Sequence, residues 1–212
     1  MKLYDLERSG NCYKIRLLLS CLGVAYERVA VNIDKGEQKT EAFLRISPRG
    51  QVPVLDDNGK IVWDSTAILV YLARRFGGET WLPGEPLAMA HVMQWLAFEQ
   101  NEGRYGTSRA RAMLLKMQSE FARTGQWDEI ARYTRVALQT LEGRLKNHAW
   151  LAGDRATIAD IACYPYTALL DQDTAALAEG FSVADYPAIR AWFGRIEALP
   201  GYIALPRRPA PA

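Results

Sequence analysis

The sequence has 212 residues, of which 49% are hydrophobic and 24% are charged, and its formal net charge is +2. This composition is typical of a globular protein with one large domain or two modest ones, and the balanced charge gives no reason to expect nucleic acid as a partner. Because no apolar run is long enough to span a bilayer and no signal peptide is evident, we expect no membrane partner and a cytoplasmic location.

The first third of the chain is predicted to form an α/β domain. A short strand at residues 2–4 and a polar loop at residues 6–11 precede a helix, whose apolar residues recur at helical spacing until Gly23. A second strand at residues 26–31 should run parallel to the first, because a helix joins them. A polar loop at residues 32–39, a short helix at residues 41–46 and a turn at residues 47–50 follow.

The run Gln-Val-Pro-Val-Leu at residues 51–55 places a proline inside an apolar strand. Because Pro53 has no N–H for a sheet ladder, either the strand lies at an edge or the bond from Val52 to Pro53 is unusual. A cis bond costs only about 0.5–1 kcal/mol before proline. It would turn the N–H and C=O of Val52 outward, toward the backbone of a peptide-like ligand.

The next stretch is predicted to be a hairpin followed by a helix. Asn58 and Gly59 readily adopt positive φ and should return the chain as a strand at residues 60–63. Asp64 and Ser65 then precede apolar residues at helical spacing, so the ordinary interpretation is a helix N-cap. A helix start also suits a carboxylate ligand, and Asp64 could pair with an amine.

The remainder of the chain is predicted to be helical. Residues 83–86, Pro-Gly-Glu-Pro, mark a linker, and the domains are predicted at residues 1–79 and 86–206, with a mobile tail at residues 207–212. Beyond the linker, strand patterns give way to helical ones. Thr157 and Asp160 have the spacing of a capping box, and Pro187 suits the first position of a last helix.

These motifs resemble the cytosolic glutathione transferases. The run at residues 51–55, followed by Asp64-Ser65-Thr66-Ala67-Ile68, is similar to the glutathione-binding core of that family, which usually has Glu where this chain has Asp64. The resemblance implies a thioredoxin-like N-terminal domain followed by an all-helical C-terminal domain. It also implies glutathione as co-substrate and a homodimer. With only two histidines in the chain, a metal site is not expected.

The start of the first helix offers three residues that could stabilise the thiolate of glutathione. Ser9 matches the hydroxyl of the theta-like, zeta-like and bacterial nu-like classes. Asn11 matches an asparagine of the nu-like class and the cysteine position of the beta class, whereas Cys12 falls one residue late. Ser9 and Asn11 are therefore the predicted catalytic residues, and the ordinary alternative is that they cap the helix while Cys12 is a packed thiol.

The predicted glutathione contacts are Gln38, Gln51, Val52, Pro53, Asp64 and Ser65. The leading hypothesis is a transferase that adds glutathione to small hydrophobic electrophiles. A glutathione-dependent disulfide reductase or peroxidase and a non-catalytic binding domain remain alternatives. Arg104, Tyr105 and Arg109 could face the electrophile, although solvated charges are the commoner interpretation of such residues.

Overall fold

The computed structural model describes residues 1–117, 120–174 and 181–206. They form two compact units, one comprising Met1–Leu82 with residues 199–206 and the other comprising Pro83–Ala198. The division between Leu82 and Pro83 lies between the two predicted domains, whose exact limits stay predictions. The predicted tail at residues 207–212 lies outside the described residues.

The elements of the first unit are β1 Lys2–Asp5, α1 Gly10–Cys21, β2 Glu27–Ala30, α2 Glu41–Leu44, β3 Val54–Asp57, β4 Lys60–Trp63 and α3 Ser65–Phe76. Its four strands form one sheet in the order β2-β1-β3-β4. β1 pairs in parallel with β2 and antiparallel with β3, and β3 pairs antiparallel with β4. Three helices accompany the sheet. This mixed sheet with helices confirms the predicted thioredoxin-like class for this part of the chain.

The first helix begins earlier than the sequence predicted. The polar loop was expected to continue through residue 11, but Ser9 is the N-cap and Gly10 is the first helical residue. The capping hydroxyl explains the difference, because it satisfies an N–H group of the first turn and so allows the helix to start there. Gly23 follows the helix with φ +65°, as its predicted role as a stop requires.

The predicted hairpin is confirmed and is tied to α3. Asn58 and Gly59 have φ values of 55° and 87°. Asp57, at the end of β3, is only 3% exposed. Its Oδ2 accepts a hydrogen bond from the Tyr71 hydroxyl at 2.6 Å and pairs with Arg75 Nε at 2.7 Å. These bonds from α3 hold the end of the β3–β4 hairpin.

Residues 199–206 belong to the first unit, whereas the sequence assigned them to the helical domain. The Tyr13 hydroxyl of α1 donates to the carbonyl of Ile203 at 2.6 Å. Gly201 has φ +81°, and a Cβ there would lie 2.6 Å from the carbonyl oxygen of Ser20. The close approach of this segment to α1 therefore requires glycine at position 201.

The second unit consists of helices and turns, with no strand in its described residues. A π-helical stretch at Glu99–Ser108 follows the first helix of this unit and was not predicted. The helix after this stretch ends at Leu114. No described helix of the chain is long and apolar enough to cross a membrane. The helices are α4 Pro86–Phe98, α5 Arg109–Leu114, α6 Glu120–Arg123, α7 Trp127–Leu145, α8 Ile158–Thr174 and α9 Pro187–Glu197.

Asp160 organises the start of α8, as its capping-box spacing predicted. Its side chain is fully buried. One carboxylate oxygen accepts from the N–H of Thr157 at 2.9 Å, and the other accepts from the N–H of Leu151 and from Trp192 Nε1, both at 3.0 Å. Asp160 therefore joins the loop before α8, the start of α8 and a side chain of α9.

Candidate functional site

The topology of the sheet brings all the predicted site segments of the first unit to one edge. In the pairing register Asp5 lies opposite Ala30, Tyr4 opposite Val54, and Val54 opposite Trp63. The ends of β1, β2 and β4 and the start of β3 therefore lie side by side at one end of the strands. We call this end of the strands the sheet edge. The segments that adjoin this edge carry every predicted site residue: Ser9, Asn11, Gln38, Gln51, Val52, Pro53, Asp64 and Ser65.

The segment before β3 offers an unused pair of backbone groups. The peptide bond between Val52 and Pro53 is cis. The alternative of an edge strand is wrong, because β3 lies between β1 and β4. Neither the N–H nor the C=O of Val52 has a hydrogen-bond partner within the described residues. These two groups are therefore available to pair with the backbone of a peptide ligand.

Asp64 is both the N-cap of α3 and one half of an ion pair. Its Oδ1 accepts from the N–H of Thr66 at 2.9 Å, which confirms the predicted cap. Its Oδ2 accepts from Arg49 Nη1 at 3.1 Å. Asp64 also has φ +75°, an uncommon backbone conformation for a residue other than glycine. Because a carboxylate has about four acceptor sites, an amine could still bind Asp64 beside Arg49.

Ser65 and Gln51 lie in backbone positions that neighbouring residues fix. Ser65 is the first residue of α3 and is 3% exposed. The hydroxyl of Ser47 donates to the carbonyl of Gln51 at 2.9 Å and accepts from its N–H at 3.2 Å. This reciprocal pair closes the turn just before Val52 and leaves the Gln51 side chain exposed.

Gly50 allows the loop that carries Gln38 to approach this turn. A Cβ on Gly50 would lie 2.7 Å from the backbone carbonyl oxygen of Gln38, and Gly50 has φ +58°. The side-chain Oε1 of Gln38 is buried without a hydrogen-bond partner in the described residues. The structure therefore places the backbone of Gln38 next to the turn that precedes Val52.

Ser9 combines the two roles that the sequence left open. Its Oγ accepts from the N–H of Cys12 at 3.3 Å, so it caps α1. A hydroxyl that accepts one hydrogen bond still has its own hydrogen to donate, and a hydrogen bond from the Ser9 side chain acts on the Cys12 thiol, where it favours the thiolate. Capping therefore fixes the position of the oxygen without consuming the donor that a thiolate would need.

Cys12 has a structural environment. The thiol is fully buried, and its Sγ accepts from the N–H of Leu6 at 3.4 Å. Burial, with a smaller contribution from the negative charge of Asp5, raises the pKa of Cys12 to about 12. Since the thiolate is the nucleophilic form of cysteine, this environment favours the packed-thiol interpretation.

Two arginines shape the loop between β1 and Ser9, and the sequence analysis missed both. Asp5 is fully buried and pairs with Arg16 Nη1 at 2.5 Å and with Arg28. Arg16 also donates from Nη2 to the carbonyl of Glu7 at 2.8 Å. Arg16 thus binds both the Asp5 carboxylate and the backbone of Glu7. The second contact holds the loop two residues before Ser9.

In the second unit, Arg109 has structural partners. Its guanidinium lies 4.6 Å from the ring centroid of Phe121, and Nε donates to the Phe121 carbonyl at 3.2 Å. Nη2 also donates to Thr124 Oγ1 at 3.1 Å. Tyr105 and Arg104 flank the same cluster through cation–π contacts. This arrangement explains Arg109 as a link between α5 and the segment around α6.

Both histidines of the chain, His91 and His148, line a cavity of about 790 Å³ in the second unit. Trp95, Phe98 and Arg144 line it too. Within the described parts of the chain, no group of three or more His, Cys, Asp or Glu side chains is arranged to hold a metal ion.

Comparison with known families identifies the class of protein. The model of the glutathione S-transferase N-terminal domain matches residues 1–74, and that of the glutathione S-transferase C-terminal domain matches residues 112–200. The chain therefore belongs to the glutathione S-transferase family.

Individual relatives span most of the chain. Glutathione S-transferase D7 of Anopheles gambiae is 31% identical, over 90% of this chain and 83% of that protein. The disulfide-bond oxidoreductase YfcG of Escherichia coli is also 31% identical, over 90% of this chain and 87% of that protein. Among solved structures, a glutathione S-transferase from Pseudomonas fluorescens is 38% identical with a TM-score of 0.84, covering 96% of this chain and 98% of that one.

Proposed function

We propose that this protein is a glutathione transferase that binds glutathione at the sheet edge and stabilises its thiolate for attack on small hydrophobic electrophiles. The observation that carries the proposal is the unpaired backbone of Val52, at the same edge as the Asp64 carboxylate and the Ser9 hydroxyl. Val52 would pair with the central residue of the tripeptide. Asp64 and Ser65, at the N-terminus of α3, would bind the α-amino acid end.

Gln38 and Gln51 would hold the glycine carboxylate at the other end of glutathione. An amide NH2 group can donate to a carboxylate, and the loop contact at Gly50 keeps the two residues in neighbouring segments. Pro53 is buried beside Val52 and would shape the backbone of this site rather than donate to the ligand.

Ser9 would supply the main stabilisation of the glutathione sulfur. A free thiol has a pKa of about 8.5, so lowering it by about two units requires about 2.7 kcal/mol. A hydrogen bond to a charged acceptor contributes about 1.5–3 kcal/mol, and the N-terminus of α1 adds up to about 1 kcal/mol. These two sources are sufficient without a general base or a metal.

The test is Ser9→Ala, assayed with glutathione and an aromatic halide. Loss of the donor should lower turnover roughly ten- to hundredfold and raise the pKa of bound glutathione, measured from thiolate absorbance. Thr40→Ala is a matched control, because Thr40 also caps a helix through its hydroxyl, at 3.3 Å from the N–H of Phe43. Equal turnover in Ser9→Ala and Thr40→Ala would refute the role of Ser9.

Glutathione binding is tested separately by isothermal titration. Ser65→Ala should weaken binding, because it removes a polar group from the start of α3. If wild type binds no glutathione, or if Ser65→Ala binds it as tightly as wild type, the proposed site is wrong.

A second candidate is a glutathione-dependent disulfide reductase or peroxidase. The resemblance to a protein named a disulfide-bond oxidoreductase favours it, as does Asn11 as a second donor beside Ser9. In that reaction two glutathione molecules lose the two electrons that the disulfide or peroxide gains. A panel of an aromatic halide, an organic peroxide and a mixed disulfide, each with glutathione, separates the candidates. Inactivity throughout, with binding retained, would indicate a non-catalytic glutathione-binding domain.

We also propose a homodimer and a cytoplasmic location, as is usual for the family to which the chain belongs. Sedimentation at micromolar concentration tests the first point, and a monomer would refute it. Fractionation of the native cells tests the second.

A further inference from the structure

A buried lysine lies one turn beyond Asn11 in α1. The side chain of Lys14 is fully buried, and its Nζ donates to Oδ1 of Asn11 at 2.8 Å. An ammonium group can only donate hydrogen bonds, so it selects the oxygen of the neighbouring amide rather than its nitrogen. The contact therefore fixes which way the Asn11 amide is turned.

With its oxygen turned toward Lys14, the other end of the Asn11 amide is the NH2 group, which can only donate hydrogen bonds. Asn11 is partly exposed at the first turn of α1, two residues after Ser9. The opposite amide orientation would present an acceptor oxygen, which repels an anion. The contact with Lys14 thus gives Asn11 the polarity that a thiolate requires.

We infer that Lys14 is a positioning residue for the reaction: it orients Asn11 so that the amide NH2 group donates to the glutathione sulfur beside the Ser9 hydroxyl. This inference rests on the proposed function. It also explains why a lysine is buried next to the site, because a bound ammonium polarises the amide and strengthens its N–H donors.

A double-mutant cycle separates orientation of Asn11 from other effects of Lys14. The variants are Asn11→Ala, Lys14→Met and the double variant, with kcat/KM and the pKa of bound glutathione as readouts. Methionine retains much of the lysine volume but donates no hydrogen bond. If Lys14 acts through Asn11, each single change should lower kcat/KM about tenfold, and the double variant should match Asn11→Ala.

Two results would overturn the inference. One is a double variant whose loss is the product of the two single losses, because Lys14 would then act independently of Asn11. The other is Lys14→Met with the kcat/KM and glutathione pKa of wild type. Lys146→Met, at an exposed lysine in the second unit, is the matched control and should leave both readouts unchanged.

Asn11→Asp tests the same idea without altering Lys14. Aspartate retains an acceptor for Lys14 but replaces the NH2 group by a negatively charged oxygen. It should therefore raise the pKa of bound glutathione further than Asn11→Ala does, and activity equal to wild type would contradict the inference. The proposed function fails separately, if wild type neither binds glutathione nor turns over any substrate of the panel.

Discussion

Asp160 offers a test of how the second unit is held together. Replacing it by alanine would leave three N–H groups without their acceptor, those of Leu151, Thr157 and the Trp192 indole. An unsatisfied buried donor costs about 1–3 kcal/mol, so Asp160→Ala should lower the free energy of unfolding by at least about 3 kcal/mol. Since a domain is stable by only about 5–15 kcal/mol, this loss is a large part of the total.

Asp160→Asn should have a smaller effect than Asp160→Ala. The amide oxygen can still accept from Leu151 and Trp192, but the NH2 group then faces the N–H of Thr157. One of the three hydrogen bonds is lost and two are weakened, because the acceptor is no longer charged. The expected order of stability is therefore wild type, then asparagine, then alanine.

The measurement is urea unfolding followed by tryptophan fluorescence and by circular dichroism. Asp185→Ala is a suitable control, because Asp185 is an exposed aspartate of the same unit. If Asp160→Ala unfolds at the same urea concentration as Asp185→Ala, the three hydrogen bonds do not carry the stability ascribed to them. Equal losses in the asparagine and alanine variants would contradict the order derived from the geometry.

Three further outcomes are expected. Tyr71→Phe removes the hydrogen bond that lowers the pKa of Asp57. This hydrogen bond stabilises the folded protein above the pKa that Asp57 has in the unfolded chain, and the stabilisation is lost as pH falls through the pKa of Asp57 in the folded protein. The stability difference from wild type should therefore be about 1 kcal/mol at pH 7 and shrink near pH 3; a constant difference would contradict this. In alkylation at pH 8, the partly exposed Cys21 should react before the buried Cys12, because burial raises the pKa of Cys21 to about 11 and that of Cys12 to about 12. Mass spectrometry follows the order of labelling, and a Cys12 that is labelled before Cys21 would refute the packed-thiol interpretation. Gly50→Ala should weaken glutathione binding in isothermal titration, because its Cβ would push the Gln38 loop away; unchanged affinity would show that this contact is not needed.

The sequence was sufficient to predict the elements whose signals are local. The hairpin at Asn58 and Gly59, the cap at Asp64 and the capping box at Asp160 each depend on residues within a few positions of one another, and each is present. Once the strand order is known, these local predictions also place the site segments at one sheet edge.

The interactions that the sequence analysis missed have different causes. The pair between Arg49 and Asp64 joins residues 15 positions apart, and the pair of Asp5 with Arg28 forms only when β1 and β2 align. No local pattern encodes such contacts. The contact between Asn11 and Lys14 could have been found, because residues three apart on a helix are neighbours. The π-helical stretch at Glu99–Ser108 has no sequence signature of comparable strength.

The return of residues 199–206 to the first unit has a consequence for biosynthesis. During translation the first 82 residues emerge well before this segment, and the whole helical unit is made in between. Until then the Tyr13 hydroxyl lacks the carbonyl of Ile203 as its acceptor. The backbone around Ser20 likewise lacks its contact with Gly201. The first unit can therefore reach its final packing only after the ribosome has made the helical unit.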